Sequence, residues 1–256
     1  MKRALRNNEE QHSLPYWVAA AVMAYAAVVL LVDLLATYRV QFGLNWVYFD
    51  WKLFAFGEWL TRFLQTHGIP SWPAQWMTWQ GVGAFDLYKF VFWFVVPLLF
   101  SLPKLEPGWL LPKRLTRTER NFFALLVLMV SASVFIVLFV PGLRAYYPSV
   151  AYLPRSEKIV IFFSMLSWVL SWLPGWEFLH RYCVLRAATV IHPRLWLLVP
   201  LYEVGYHLSK HPLEAAGMGI LSLVLTYWTY QRATMFYPAL VHFSIEMSLA
   251  LFLLFV

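Results

Sequence analysis

Glu177 and Arg181 stand four residues apart in Trp176-Glu177-Phe178-Leu179-His180-Arg181, within an otherwise apolar stretch. Later apolar segments carry Glu203 with His207, and His242 with Glu246, each at the same spacing. Residues four apart share a face of an α-helix, so the members of each pair can meet. An ionisable group surrounded by lipid is costly and is by default functional. Hydrolysing a peptide bond requires a base to activate water, a group to orient that base and donors for the developing oxyanion. A carboxylate with two imidazoles can fill these roles. Glu177, His207 and His242 are therefore candidate catalytic residues, with Arg181, Glu246 and Glu203 in support. The alternative, in which the pairs are charge-neutral clips between helices, suits one pair better than an ordered series on consecutive helices.

Two other chemistries are weaker. His207 and His211 have the spacing of zinc-binding histidines, and zinc would need three protein ligands plus water, with His242 the third. No glutamate stands beside His207, however, and Lys210-His211-Pro212 ends the helix. No cofactor or metal is expected, and zinc is the minority reading. Cys183 is the single cysteine, which excludes an internal disulfide and reads as a packing residue.

The elements that must position these residues are membrane helices. The chain has 256 residues, 61% hydrophobic and 13% charged, against roughly 45–50% and about 25% in soluble domains. Several apolar runs reach the length of about 18 or more residues that crosses a bilayer core, and no period-two alternation of a barrel is visible. The fold class is all-α, a multi-pass transmembrane helical bundle of about seven or eight hydrophobic helices. The spans read as Trp17–Leu35, Val82–Leu102, Phe122–Val140, Ile159–Leu173, Trp176–Ile191, Leu195–Leu208, Ala215–Tyr230 and Tyr237–Val256. The aromatic segment Asn45–Leu64, interrupted by charges, reads as an interfacial helix. Pro174-Gly175 is expected to break the chain between two of these helices. Alternating crossings put Glu177 and His207 near one membrane face and His242 roughly 9 Å in from the other.

The net charge of +7 gathers in short loops beside apolar spans, notably Lys104, Lys113, Arg114, Arg117 and Arg120. That pattern places this stretch and the N-terminus in the cytoplasm and argues for membrane lipid, not nucleic acid, as partner.

These residues resemble the CAAX protease and bacteriocin-processing (Abi) family of glutamic-type intramembrane proteases. Its pattern is Glu-Glu-x-x-x-Arg, then Phe-x-x-x-His, then His-x-x-x-Asn. Trp176 to Arg181 resembles the first motif, Glu203 to His207 the second and His242 to Glu246 the third. The stretch His207-Leu208-Ser209-Lys210-His211-Pro212-Leu213-Glu214 resembles a segment of bacterial members that carry Trp-Glu in the first motif. The likeness begins near Trp168 and makes residues 151–256 the catalytic core, with residues 1–150 as N-terminal membrane helices of one integral domain. It implies an endopeptidase, in the bacterial cytoplasmic membrane, that cuts a membrane-associated or C-terminally sorted peptide or protein substrate without a required metal.

The departures are Trp176, Glu203 and Glu246, which stand where the family has Glu, Phe and Asn. In the family the first glutamate holds the catalytic water, so Glu177 would have to act as base. The rival readings are an inactive scaffold or immunity-type binding protein on the same fold, and a transporter, which would need a repeat symmetry that the chain lacks.

Overall fold

Runs of Ala, Val, Leu and Phe leave the backbone no partner but itself in lipid, and helix is the outcome. The computed structural model describes residues 14–38, 40, 62–68, 85–147 and 149–256. Among the described residues there is no strand. Four helices among them are long and apolar enough to cross a membrane: α1 (Tyr16–Thr37), α2 (Leu87–Lys104), α4 (Arg155–Ile191) and α7 (Phe236–Phe255). Between them lie α3 (Arg117–Ser133), α5 (Leu198–His207) and α6 (Pro212–Arg232). The expected interfacial helix at Asn45–Leu64 falls outside the described residues except for its last turn, 62–64.

Local chemistry sets the ends of these helices. Thr116 caps α3 in a reciprocal box with Glu119, which satisfies amide groups that would otherwise lack partners. Pro212 opens α6, where its missing N–H is no loss, and the His211 ring accepts from the Leu213 amide at 3.2 Å.

The expected break at Pro174-Gly175 does not occur, because α4 runs unbroken through both residues for 37 residues. A proline inside a helix costs about 3 kcal/mol, yet an opened backbone at membrane depth leaves several polar groups unpaired at greater cost. The following residues, Phe178–Val184, widen into a π-helical turn that closes with the Leu185 amide on the His180 carbonyl. Gly175 has a different use. A Cβ there would lie 2.9 Å from Trp93 Cβ, so the glycine lets α2 and α4 touch backbone to backbone.

Packing follows from that crossing. α4 contacts α2 and α7, its last turns, which carry the buried Ala187 and Ala188, lie on α1, and α5 pairs with α6. The main buried cluster joins α1, α2 and α4 around Trp93, Trp172, Trp176, Phe178 and Tyr182. Outward, Leu99, Phe100, Leu128, Met129, Leu201, Ile220 and Phe255 are exposed, an apolar girdle suited to lipid.

The two ends of the bundle differ. At one, Lys113 Nζ donates to the Arg232 carbonyl at 2.7 Å, Tyr237 to the Lys113 carbonyl at 2.6 Å and the Met235 amide to the Trp109 carbonyl at 2.8 Å. At the other, the Val150 amide donates to the Leu253 carbonyl at 2.9 Å, and Tyr147 and Lys210 meet on Glu214.

Candidate functional site

The unbroken α4 carries Glu177 far enough along the bundle to meet α7 coming the other way. His242 Nδ1 lies 2.7 Å from Glu177 Oε1, and the Arg181 guanidinium bonds the same oxygen from one turn along α4. Arg181 also reaches across to Glu203 of α5 at 3.5 Å. All four side chains are buried. A guanidinium keeps its charge, so Arg181 serves as counter-ion to two carboxylates on two helices. Glu177 Oε2 and Arg181 Nε are left without hydrogen-bond partners.

Two of the three expected one-turn pairs do not form. The His207 ring turns back along its own helix, with Nδ1 2.8 Å from the Glu203 main-chain carbonyl, while the Glu203 carboxylate goes to Arg181. His242 crosses to Glu177 instead of pairing with Glu246. Charge decides both cases, since a buried carboxylate gains more from a guanidinium, and an imidazole from a carboxylate already held in place, than from a neighbour on the same helix. Glu246 makes no hydrogen bond or ion pair among the described residues, and its electrostatic neighbours are His242, Lys210 and Glu214.

The histidine tautomers follow from their partners. A carbonyl only accepts, so His207 carries its proton on Nδ1 and presents Nε2 as a lone pair. The same holds for His180, whose Nδ1 donates to the Trp176 carbonyl at 2.8 Å. His242 Nδ1 donates to Glu177, which leaves its Nε2 for chemistry. This is the geometry of a carboxylate orienting an imidazole.

Trp176 is the hub. It is 2% exposed, and its ring packs against Trp93, His180, Tyr202, Tyr206, His207 and His242 with centroids 4.5–6.5 Å apart. Both candidate histidines thus pack edge-on to one indole. The π-helical turn starts directly after Glu177, a placement common at functional sites.

Two polar groups lie outside the candidate site residues named from the sequence, although Lys210 and Glu214 fall in the stretch that carries the family resemblance. At the end opposite Lys113, Glu214 Oε1 accepts from Tyr147 at 2.8 Å and Lys210 at 2.7 Å and lies 3.9 Å from His207 Nε2. Burial lowers the Lys210 pKa, but Tyr147 and Glu214 more than reverse this and hold it above the ordinary lysine range. The second group joins Lys89 of α2 to Tyr206 at 2.9 Å, Asp33 of α1 at 3.6 Å and Asp86 at 3.9 Å. Asp33, Asp86 and Lys89 are charges inside apolar runs, the signal by which Glu177 was found. Glu214 lacks that signal because it follows a helix-ending proline and reads as loop.

His211 stands apart from the centre, its ring against Gly142 of the connection after α3. Among the described residues no group of three or more His, Cys, Asp or Glu side chains is arranged to hold a metal ion. Cys183 is buried near Ser101, 3.9 Å from its hydroxyl. Comparison with protein-family models, with characterised proteins and with solved structures finds no match for the chain.

Proposed function

We propose that the chain is a glutamate-dependent intramembrane endopeptidase of the CAAX protease and bacteriocin-processing type. It would cut a membrane-associated or C-terminally sorted peptide or protein in a bacterial cytoplasmic membrane, with its N-terminus in the cytoplasm. The observation that carries this reading is the Glu177–His242 contact at 2.7 Å, between segments 65 residues apart, beside a second imidazole whose Nδ1 is also committed. Structural clips need only neutralise charge, whereas here two imidazoles have fixed tautomers around one indole.

In this reading Glu177 takes a different role from the one expected of it. Its bonded oxygen takes both Arg181 and His242 and its whole side chain is closed off from solvent, so here it positions His242 and is not the base that touches water. His207 and His242 offer Nε2 lone pairs that take protons, and either ring can donate to the oxyanion only once it is protonated. No metal takes part in these steps.

One observation favours the inactive scaffold. Trp176 fills the position of the water-holding glutamate, and nothing in the ring contacts around it leaves that carboxylate replaced in kind. N-terminal peptide profiling of membranes from cells expressing the chain separates the two readings. New termini that depend on the wild-type chain, and disappear with Glu177→Gln, His207→Ala and His242→Ala at equal expression, support the peptidase. Loss of a general base typically costs about 100-fold to 10,000-fold. Termini unchanged by all three substitutions reject it and leave the binding protein.

A further inference from the structure

The peptidase needs a carboxylate at the nucleophilic water, and Trp176 has displaced the one on α4. Another carboxylate points at the same imidazole from α6. Glu214 Oε1 is 3.9 Å from His207 Nε2, too far for a direct hydrogen bond and within reach of one water between them. Both atoms are acceptors, because the proton of His207 is spent on the Glu203 carbonyl. Two acceptors facing each other require a shared donor, and water carries two hydrogens. Glu214 Oε2 is also buried without a partner, so the carboxylate keeps unused acceptor capacity.

Access separates this place from Glu177, which is 0% exposed under Trp176. The side chains of His207 and Glu214 are 11% and 14% exposed. Tyr147 and Lys210 fix Glu214 from the far side, and Glu246 lies close by on α7.

We propose that Glu214 is the catalytic base of this enzyme, with His207 Nε2 orienting the same water, so that the base carboxylate has moved from α4 to the start of α6. The proposal rests on the peptidase reading. In the step, Glu214 takes one water proton while the water oxygen bonds to the scissile carbonyl carbon and the C=O π pair moves onto oxygen. The oxyanion then re-forms the carbonyl as the C–N bond breaks. The proton on Glu214 passes to the leaving nitrogen, giving an amine and a carboxylic acid. His242, positioned by Glu177, faces the oxyanion side.

The test uses the full chain in lipid vesicles and, as probe, a pool of fluorogenic peptides anchored by an apolar segment. Glu214→Gln is expected to lower kcat about 100-fold to 10,000-fold with KM unchanged. Glu214→Ala should be partly restored by added formate, a small carboxylate, whereas Glu177→Ala should not. Wild-type turnover in Glu214→Gln, while Glu177→Gln and His242→Ala are inactive, overturns the assignment and leaves the peptidase standing. A wild-type chain that cleaves no faster than the His207→Ala, His242→Ala double variant overturns the peptidase itself. Histidine 15N NMR, assigned through the His207→Gln difference, is independent of turnover. It should find His207 neutral with its proton on Nδ1, and an imidazolium at neutral pH would exclude the shared water.

Discussion

Gly175→Ala tests whether the α2–α4 crossing positions the site. The new Cβ would meet Trp93 Cβ at 2.9 Å and the Lys89 carbonyl oxygen and Trp93 carbonyl carbon at 3.2 Å. Carbon atoms rest about 3.5–4.0 Å apart, so the shortfall at Trp93 is roughly 0.6–1.1 Å. None of these atoms can rotate away, since each is backbone or fixed to it, and the helices must part. A gap of about 0.5–1 Å forfeits a quarter to a half of each contact's attraction, and overpacking of this kind costs about 1–3 kcal/mol. Alanine returns up to about 1 kcal/mol of helix propensity, which leaves a net loss of about 0–2 kcal/mol and a larger gap to a glycine-to-alanine change made in open space. Gly217→Ala is the control, because a Cβ there meets nothing within 4 Å, and it should stabilise by up to about 1 kcal/mol. Unfolding by denaturing detergent in mixed micelles, followed by circular dichroism, measures both. Turnover adds a second reading, because Trp93 packs on Trp176 and His180 and a misplacement of about 1 Å can cost about 100-fold. If Gly175→Ala proves as stable and as active as Gly217→Ala, the close crossing described here is wrong.

Arg181→Ala removes the counter-ion shared by Glu177 and Glu203 and should destabilise by about 3–5 kcal/mol. Arg181→Lys, a point charge in place of a fork, should fold and turn over more slowly, as the same unfolding and cleavage assays will show. Thr116→Ala should cost about 0.5–2 kcal/mol by opening the cap of α3. The Thr116 backbone amide, then its hydroxyl, hold the Glu119 carboxyl below the usual range against the effect of burial. The Glu119 share of stability is thus fully present above the unfolded value of about 4.3 and fades as pH falls through the lower folded value, so an acid titration of wild type and Glu119→Gln should converge at low pH. Single cysteines at Lys113 and Arg6 should be shielded from impermeant thiol reagents in intact cells, and labelling of either from outside would reverse the orientation.

Helix, membrane class and the Glu177–Arg181 pair were legible in the sequence because they depend on composition and on spacing within one helix. The count of seven or eight spans is not confirmed by the described residues. Among those residues four helices meet the length and apolarity of a crossing, and α3, α5 and α6 are not among them. Pro174-Gly175 misled because sequence rules price a proline against water, whereas the cost in lipid is that of the alternative. The partners of His207 and His242 were hidden for a further reason, since the competition between a same-helix and a cross-helix acceptor is decided by tertiary distance. Glu214 came within reach of His207 only through the turn between α5 and α6.

The widened turns Phe90–Val95 and Phe178–Val184 amount to insertions written into helices. A π turn closes over one residue more than an α turn, and one residue is worth about 100° of rotation. Side chains beyond Val184 are therefore out of phase with those before Glu177, and a straight 3.6-residue count from Trp172 would turn the wrong face of α4 toward α1. A chain of the same fold lacking that residue would keep Trp176 and Glu177 in place and swing Arg186 away from Glu106, its partner here. In an alignment the gap belongs inside the helix, not in a loop.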